Sequence, residues 1–218
     1  MCNICINSLT FISRDLNKLK ELNQIVNEVA SNKNANSIVA LLDKHGYNTK
    51  DKMLLCDKRD YISDCDTIIT QKLNHYYFQA ETCSAWLPNL LPIATLLKER
   101  YNGEIKLLAQ SEEEGAGIYH TNDIGAIFYK DRFKVDCCTS ENYETEYFSN
   151  WSDMINFLQE LFPKADISYY DSIEEILESI DNNYNDSSDD SFFFNLNVFT
   201  PYEGEEPYTN EYYIKEAA

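Results

Sequence analysis

The sequence has little of what punctuates or breaks regular structure. Among 218 residues there are 6 glycines and 5 prolines, too few for a collagen-like or low-complexity chain. Long apolar runs are missing too: none approaches the ~18 residues that a membrane-spanning helix needs. The opening Met1-Cys2-Asn3-Ile4-Cys5 lacks the cationic start of a secretory signal, so the expected location is cytoplasmic, away from membranes. Basic side chains are scarce, 18 against 37 acidic, for a formal net charge of −19. That field repels duplex DNA and anionic lipid, and it favours basic partners or simple solubility.

Paired cysteines are the last absence. Seven cysteines form no disulfide framework, and the one Cys-x-x-Cys, Cys2 and Cys5, has no second copy to complete a zinc site. Positions three apart on a strand point to opposite faces, as would the adjacent Cys137 and Cys138. Cys56 and Cys65 stand alone. Reduced, partly buried thiols are expected, with no metal and no cofactor.

What is present is enough to fold without staples. The chain is 44% hydrophobic and 13% aromatic, too apolar for disorder despite its charge, and long enough to bury roughly 65–75% of its unfolded surface. The charge is unevenly spread. Residues 1–100 hold 12 basic and 11 acidic side chains, residues 101–218 hold 6 and 26, and residues 136–218 alone hold 2 and 20. The acidity therefore belongs to the C-terminal part.

Residues 3–12 are rich in β-branched side chains and predict a strand, with a change of apolar parity near Ser8 that implies a bulge or cover on both faces. Ser13 then caps a helix with apolar positions Leu16, Leu19, Leu22, Ile25, Val26 and Val29. Residues 32–62 read as an insertion with a solvated surface, containing a short helical run at Ile38–Leu42 that Gly46 ends. Strands are predicted at Thr67–Thr70 and His75–Ala85. A helix follows from Pro92 to Tyr101 with Gly103 as its stop, then a strand from Ile105 to Ala109 continuing towards Ser111–Gly117. Residues 124–129 and 132–138 read as a hairpin turning at Lys130–Asp131. Beyond it lie an acidic Tyr-rich connector (140–148), a helix from Asn150 to Phe162, a helix with a Ser172/Glu175 capping box, a polar linker (181–190), an apolar strand (192–199) and an acidic tail.

Strand, helix, strand, strand, helix, strand over residues 3–110 is the split βαβ, or ferredoxin-like, order. The fold class expected is thus α+β: an antiparallel ferredoxin-like sheet with helices on one face, extended by a hairpin (residues 1–138), joined to a smaller acidic α/β part (139–218). The Cys5, Asn7, Leu9, Phe11 strand, the Thr82–Trp86 strand end before a proline-started helix, and the Ser-Glu-Glu-x-Gly-x-Gly segment from Ser111 to Gly117 resemble the YubB-type ferredoxin-like family of bacterial plasmid, phage and gut mobile-element proteins. The resemblance covers about residues 1–138. It implies the fold and a mobile-element setting, but no chemistry, because the family's biochemical function is not established. Two departures are Cys2-Asn3-Ile4 at the opening and the inserted residues 32–62.

The segment from Ser111 to Asp123, with Trp86, is the candidate site. Gly115 and Gly117 allow positive φ and close approach, Glu112 and Glu114 supply carboxylates, and His120 and Asp123 follow. As a strand end and glycine turn with solvated acids, these residues need no function; as a contact loop they would meet a ligand or protein. A metal-dependent hydrolase would need Glu112, Glu114, His120 and Asp123 to converge. No nucleophile motif such as Gly-x-Ser-x-Gly occurs, and His45 and His75 are isolated. The leading expectation is a binding protein without catalytic activity, taking a protein partner, basic or otherwise, or self-associating, with no direct nucleic-acid contact. The alternative built on the charge is an acidic DNA mimic that blocks a nucleic-acid-binding defence protein.

Overall fold

The computed structural model describes residues 4–33, 35–46, 60–85, 89–138, 143–169, 171–184 and 192–202. The architecture is mixed α+β, with five α-helices and two antiparallel sheets among these residues. No helix in them is long and apolar enough to cross a membrane. The chain divides into two compact units, one holding residues up to Tyr129 together with Pro201 and Tyr202, the other running from Lys130 to Thr200.

The first unit is organised around β1 (Ile4–Ser13), which pairs with β4 (His75–Ala85) on one side and β5 (Ile105–Glu113) on the other. Both ladders run without a register break. The parity change near Ser8 therefore reflects cover on both faces: Leu9 and Phe11 point one way, Thr10 and Ile12 the other, and all four are buried. β2 (Tyr61–Cys65) and β3 (Thr70–Lys72) pair with β4, and β6 (Ile118–Thr121) pairs with β5, giving the order β2-β4-β1-β5-β6.

Helices α1 (Leu16–Ala30), α2 (Ile38–Lys44) and α3 (Leu91–Tyr101) supply Leu19, Leu22, Val26, Val29, Ile38, Leu41, Leu42, Ile93 and Leu96 to one core with Leu9, Phe11, Ile62 and Phe78. The rings of Phe11 and Phe78, cross-strand partners, stack at 4.8 Å.

Ser13 is consumed by the sheet, pairing with Tyr76 and Ile105, so Asp15 caps α1 instead, accepting from the amides of Asn17 and Lys18. The stretch 32–62 is not merely a solvated insertion, because α2 buries Ile38, Leu41 and Leu42, and Ile62 of β2 joins the same core. The strand expected at 67–70 lies instead at Tyr61–Cys65 and Thr70–Lys72. Residues 124–129 form no strand and no hairpin with 132–138.

The second unit is a three-stranded sheet in the order β8-β7-β9, with β7 (Phe133–Cys138) central, β8 (Tyr143–Phe148) and β9 (Phe193–Val198) at its edges. Helices α4 (Trp151–Leu161) and α5 (Ile173–Tyr184) cover one face, burying Met154, Ile155, Leu158, Ile176 and Ile180 on Val135, Cys137 and Leu196. The capping box forms as read: the Ser172 amide donates to the Glu175 carboxylate at 2.7 Å, and the Glu175 amide to Ser172 Oγ at 3.2 Å. A boundary after Cys138 would cut β7 from both its neighbours; the division falls after Tyr129, and residues 201–202 return to the first unit. The connector read at 140–148 is in its latter part strand β8.

Candidate interaction surface

Strand alternation sends the expected site residues in different directions. Ser111 is buried and pairs with His120. Its hydroxyl donates to Asn7 Oδ1 at 2.5 Å and lies 2.8 Å from the Tyr202 hydroxyl, with the His120 ring 5.5 Å from that of Tyr202. His120 is therefore on the helix side of the sheet. Glu112 pairs with Ile6 and Tyr119 on the opposite side. Glu114 is exposed in a single 3₁₀ turn (Glu114–Ala116), whose amides at Gly115 and Ala116 are taken by the Glu113 carboxylate. Of the two glycines only Gly117 adopts positive φ, at 66°.

Asp123 is 0% exposed, and its Oδ2 accepts from the amides of Phe128 (2.7 Å) and Tyr129 (2.9 Å). It is a loop anchor. Trp86 lies outside the described residues. Glu112, Glu114, His120 and Asp123 thus do not share a site, and no three His, Cys, Asp or Glu side chains gather to hold a metal among the described residues.

The helix side of β1 ends in a buried polar network. Asn7 Nδ2 donates to Ser84 Oγ (3.1 Å) and to the Thr82 carbonyl (3.4 Å), and Cys5 Sγ donates to Asn7 Oδ1 at 3.6 Å. Burial, with the Glu113 and Cys83 charges adding to it and the Ser84 hydrogen bond opposing, pushes the Cys5 thiol up to about 12. A thiol so protonated and enclosed is neither nucleophile nor ready ligand. Iodoacetamide at mildly alkaline pH should leave Cys5 unmodified in the native protein and label it once urea unfolds the chain; native labelling detected by peptide mapping would contradict this placement.

The helix-free side of the same sheet is divided. Over one half folds the segment 122–129: Tyr129 OH meets Thr10 Oγ1 at 2.9 Å, Phe128 packs edge-on to Tyr77 with centroids 4.8 Å apart, and Lys72 Nζ donates to the Ile127 carbonyl at 2.5 Å. The other half carries Cys83 and Tyr119, both buried, beside two exposed isoleucines. Ile4 and Ile6 stand on it 44% and 46% exposed, although β1 is the central strand. Carboxylates frame them: Glu112 pairs with Ile6, while Asp64 and Glu81 are paired one row away beside Ser8. A depression of about 240 Å³ beside Ser8 is lined by Asp64, Asp66, Gln79, Glu81 and Tyr129, among others, with neither Ile4 nor Ile6 in its lining. Comparison with protein-family models, curated proteins and solved structures finds no match.

This surface escaped the sequence reading. The usable signal was the phase of β1: once Leu9 and Phe11 face the helices, Ile4 and Ile6 must face away. In the second unit the acids occupy several elements, with Glu144 and Glu146 on β8, Asp153 and Glu160 on α4, and Glu174, Glu178 and Asp181 in a row along α5. That row sets three carboxylates over roughly 10 Å of helix axis, where duplex DNA carries about six charges.

Proposed function

We propose that the protein is a non-catalytic interaction protein whose helix-free sheet face receives a protein partner that inserts apolar side chains flanked by lysine or arginine. The observation that carries this reading is the pair Ile4 and Ile6, half exposed on a central strand and bordered by Asp64, Glu81 and Glu112. Burying what remains exposed of both side chains would contribute about 2 kcal/mol, roughly a thirtyfold gain in affinity. The framing acids argue for a basic partner over a second copy, whose own acids would be repelled. The acid row on α5 falls short of a duplex's charge density, which leaves the DNA-mimic alternative with less support.

A ferredoxin-like scaffold is supported by the strand order β2-β4-β1-β5 with α1 and α3 feeding the same core. The YubB-type resemblance, which implies a mobile-element setting, draws support as to fold from Cys5, Leu9 and Phe11, all buried, on the side of β1 that carries Asn7. A photocrosslinker placed at Ile6, with Lys20 on α1 as the control position, tests the reading in extracts of the source cell. A discrete adduct with a basic protein is expected at position 6 only, lost in I4S/I6S and in E81K/E112K. Equal adducts at both positions, an adduct that survives those variants, or a dimer by sedimentation that I6D dissolves would overturn it.

A further inference from the structure

A second site of different character lies where β1 passes into α1. A pocket of about 850 Å³ is lined by Arg14, Asp15, His75, Tyr76, Glu104 and Lys106, among others. Its acidic groups are already engaged. Asp15 caps α1, and Glu104 is paired with Lys18 at 2.5 Å. The Ser13 hydroxyl accepts from the Asp15 amide and donates to the Glu104 carbonyl. Among the described residues, Arg14 and Lys106 have no carboxylate partner, so two cations remain uncompensated on a chain of net charge −19.

His75 supplies the decisive observation. It is 4% exposed and lines this pocket, and its Nε2 accepts a hydrogen bond from Arg14 Nε at 3.3 Å. In a neutral imidazole the other nitrogen must then carry the proton. Burial, with the Arg14 charge adding to it, lowers the His75 pKa and keeps the ring neutral. Nδ1–H is therefore a buried donor, and it has no acceptor among the described residues. Such orphaned donors are rare and call for a partner.

We propose that this pocket binds the phosphate group of a small metabolite, held by the Arg14 guanidinium, the Lys106 ammonium and the His75 Nδ1–H. A phosphate dianion balances the two cations and offers acceptors to all three groups, and guanidinium matches its geometry. A singly charged carboxylate would leave one cation unbalanced. The site is separate from the Ile4–Ile6 surface, so each can fail alone.

The test uses the full chain and inorganic phosphate. With only three histidines, His45, His75 and His120, the imidazole nitrogen resonances can be resolved. The expected result is a saturable shift of His75 Nδ1–H with phosphate, with His45 and His120 unmoved, and affinity about fivefold weaker in K106A. Lys106 is exposed, so K106A should keep the wild-type melting temperature; R14A serves as the second variant. Acetate at matched ionic strength should act at least about tenfold more weakly. No saturable shift, equal response to acetate, or unchanged affinity in both variants would overturn the proposal.

Discussion

Asp123→Ala is expected to lower the unfolding free energy by about 3–4 kcal/mol, since it removes two charge-assisted hydrogen bonds worth about 1.5–3 kcal/mol each and leaves two backbone donors without an acceptor. The Asp123 carboxylate, fully buried, holds the amides of Phe128 and Tyr129. These two residues fasten segment 122–129 to the sheet. Tyr129 reaches Thr10, which also accepts from Gln79 at 3.1 Å, and the Lys72 ammonium lies 4.6 Å from the Phe128 ring centre. Burial above all keeps the Tyr129 phenol protonated well past its ordinary range, so it can remain in this network at any physiological pH. Urea denaturation should show the loss, and hydrogen exchange should quicken first at Phe128 and Tyr129. Asp123→Asn, which keeps one carbonyl acceptor, should cost about half as much. A deficit under ~1 kcal/mol in the alanine variant would mean that the segment is held by its ring contacts instead.

The same residue shows where sequence reasoning stops. Asp123, Glu112, Glu114 and His120 lie within twelve positions of one another and invite reading as a cluster. On paired strands, neighbours in sequence are opposites in space, and the Ser111–His120 and Glu112–Tyr119 pairs put His120 and Glu112 on different sides of the sheet. Periodicity that reports burial fared better. The stripe Leu19, Leu22, Val26, Val29 of α1, the proline-started α3 and the Ser172/Glu175 box of α5 were legible because each depends on residues within one or two turns.

Pairing choices are nonlocal, and there local apolarity misleads. Residues 67–70 read as a strand, yet Ile68 is 73% exposed, while the less apolar Tyr61–Cys65 pairs because Ile62 fits the core. Residues 124–129 look like a strand, but Ala126 takes φ 52° and its amide turns back to the Asp123 carbonyl. The six residues Tyr-Glu-Thr-Glu-Tyr-Phe read as an acidic connector, and only the two-sided pairing of β7 makes them strand β8. Ile4 and Ile6 are illegible for a similar reason: apolar strand residues read as buried, and only the phase set by Leu9 and Phe11 turns these two outward.

The largest pH effect should come from Asn7→Asp. Asn7 is 1% exposed and is the hub between Ser84, Thr82 and Ser111, through which Tyr202 joins the network. A carboxyl of the same shape would sit away from water on the side of the sheet that holds the buried Glu113, which already helps raise the Cys5 thiol after burial has done most of it. Burial and a like charge both favour the protonated form, so the folded-state pKa rises above the unfolded value of about 3.9, by roughly 3 units. The native state then binds more protons than the unfolded one, and stability falls as pH rises. Below about pH 4 the carboxyl is neutral in both states and the titration penalty is absent; from there the variant should lose about 1.4 kcal/mol per pH unit relative to wild type, reaching about 4 kcal/mol near neutrality. Asn7→Leu separates the two costs, because it also removes the hub but carries no titrating group, so its deficit should be the same at both ends of the window. Urea midpoints of all three proteins at acidic and neutral pH decide the matter. An aspartate variant with a pH-independent deficit would show that water reaches position 7, and that the end of β1 carrying Cys5, Asn7 and the docked Tyr202 is open in solution.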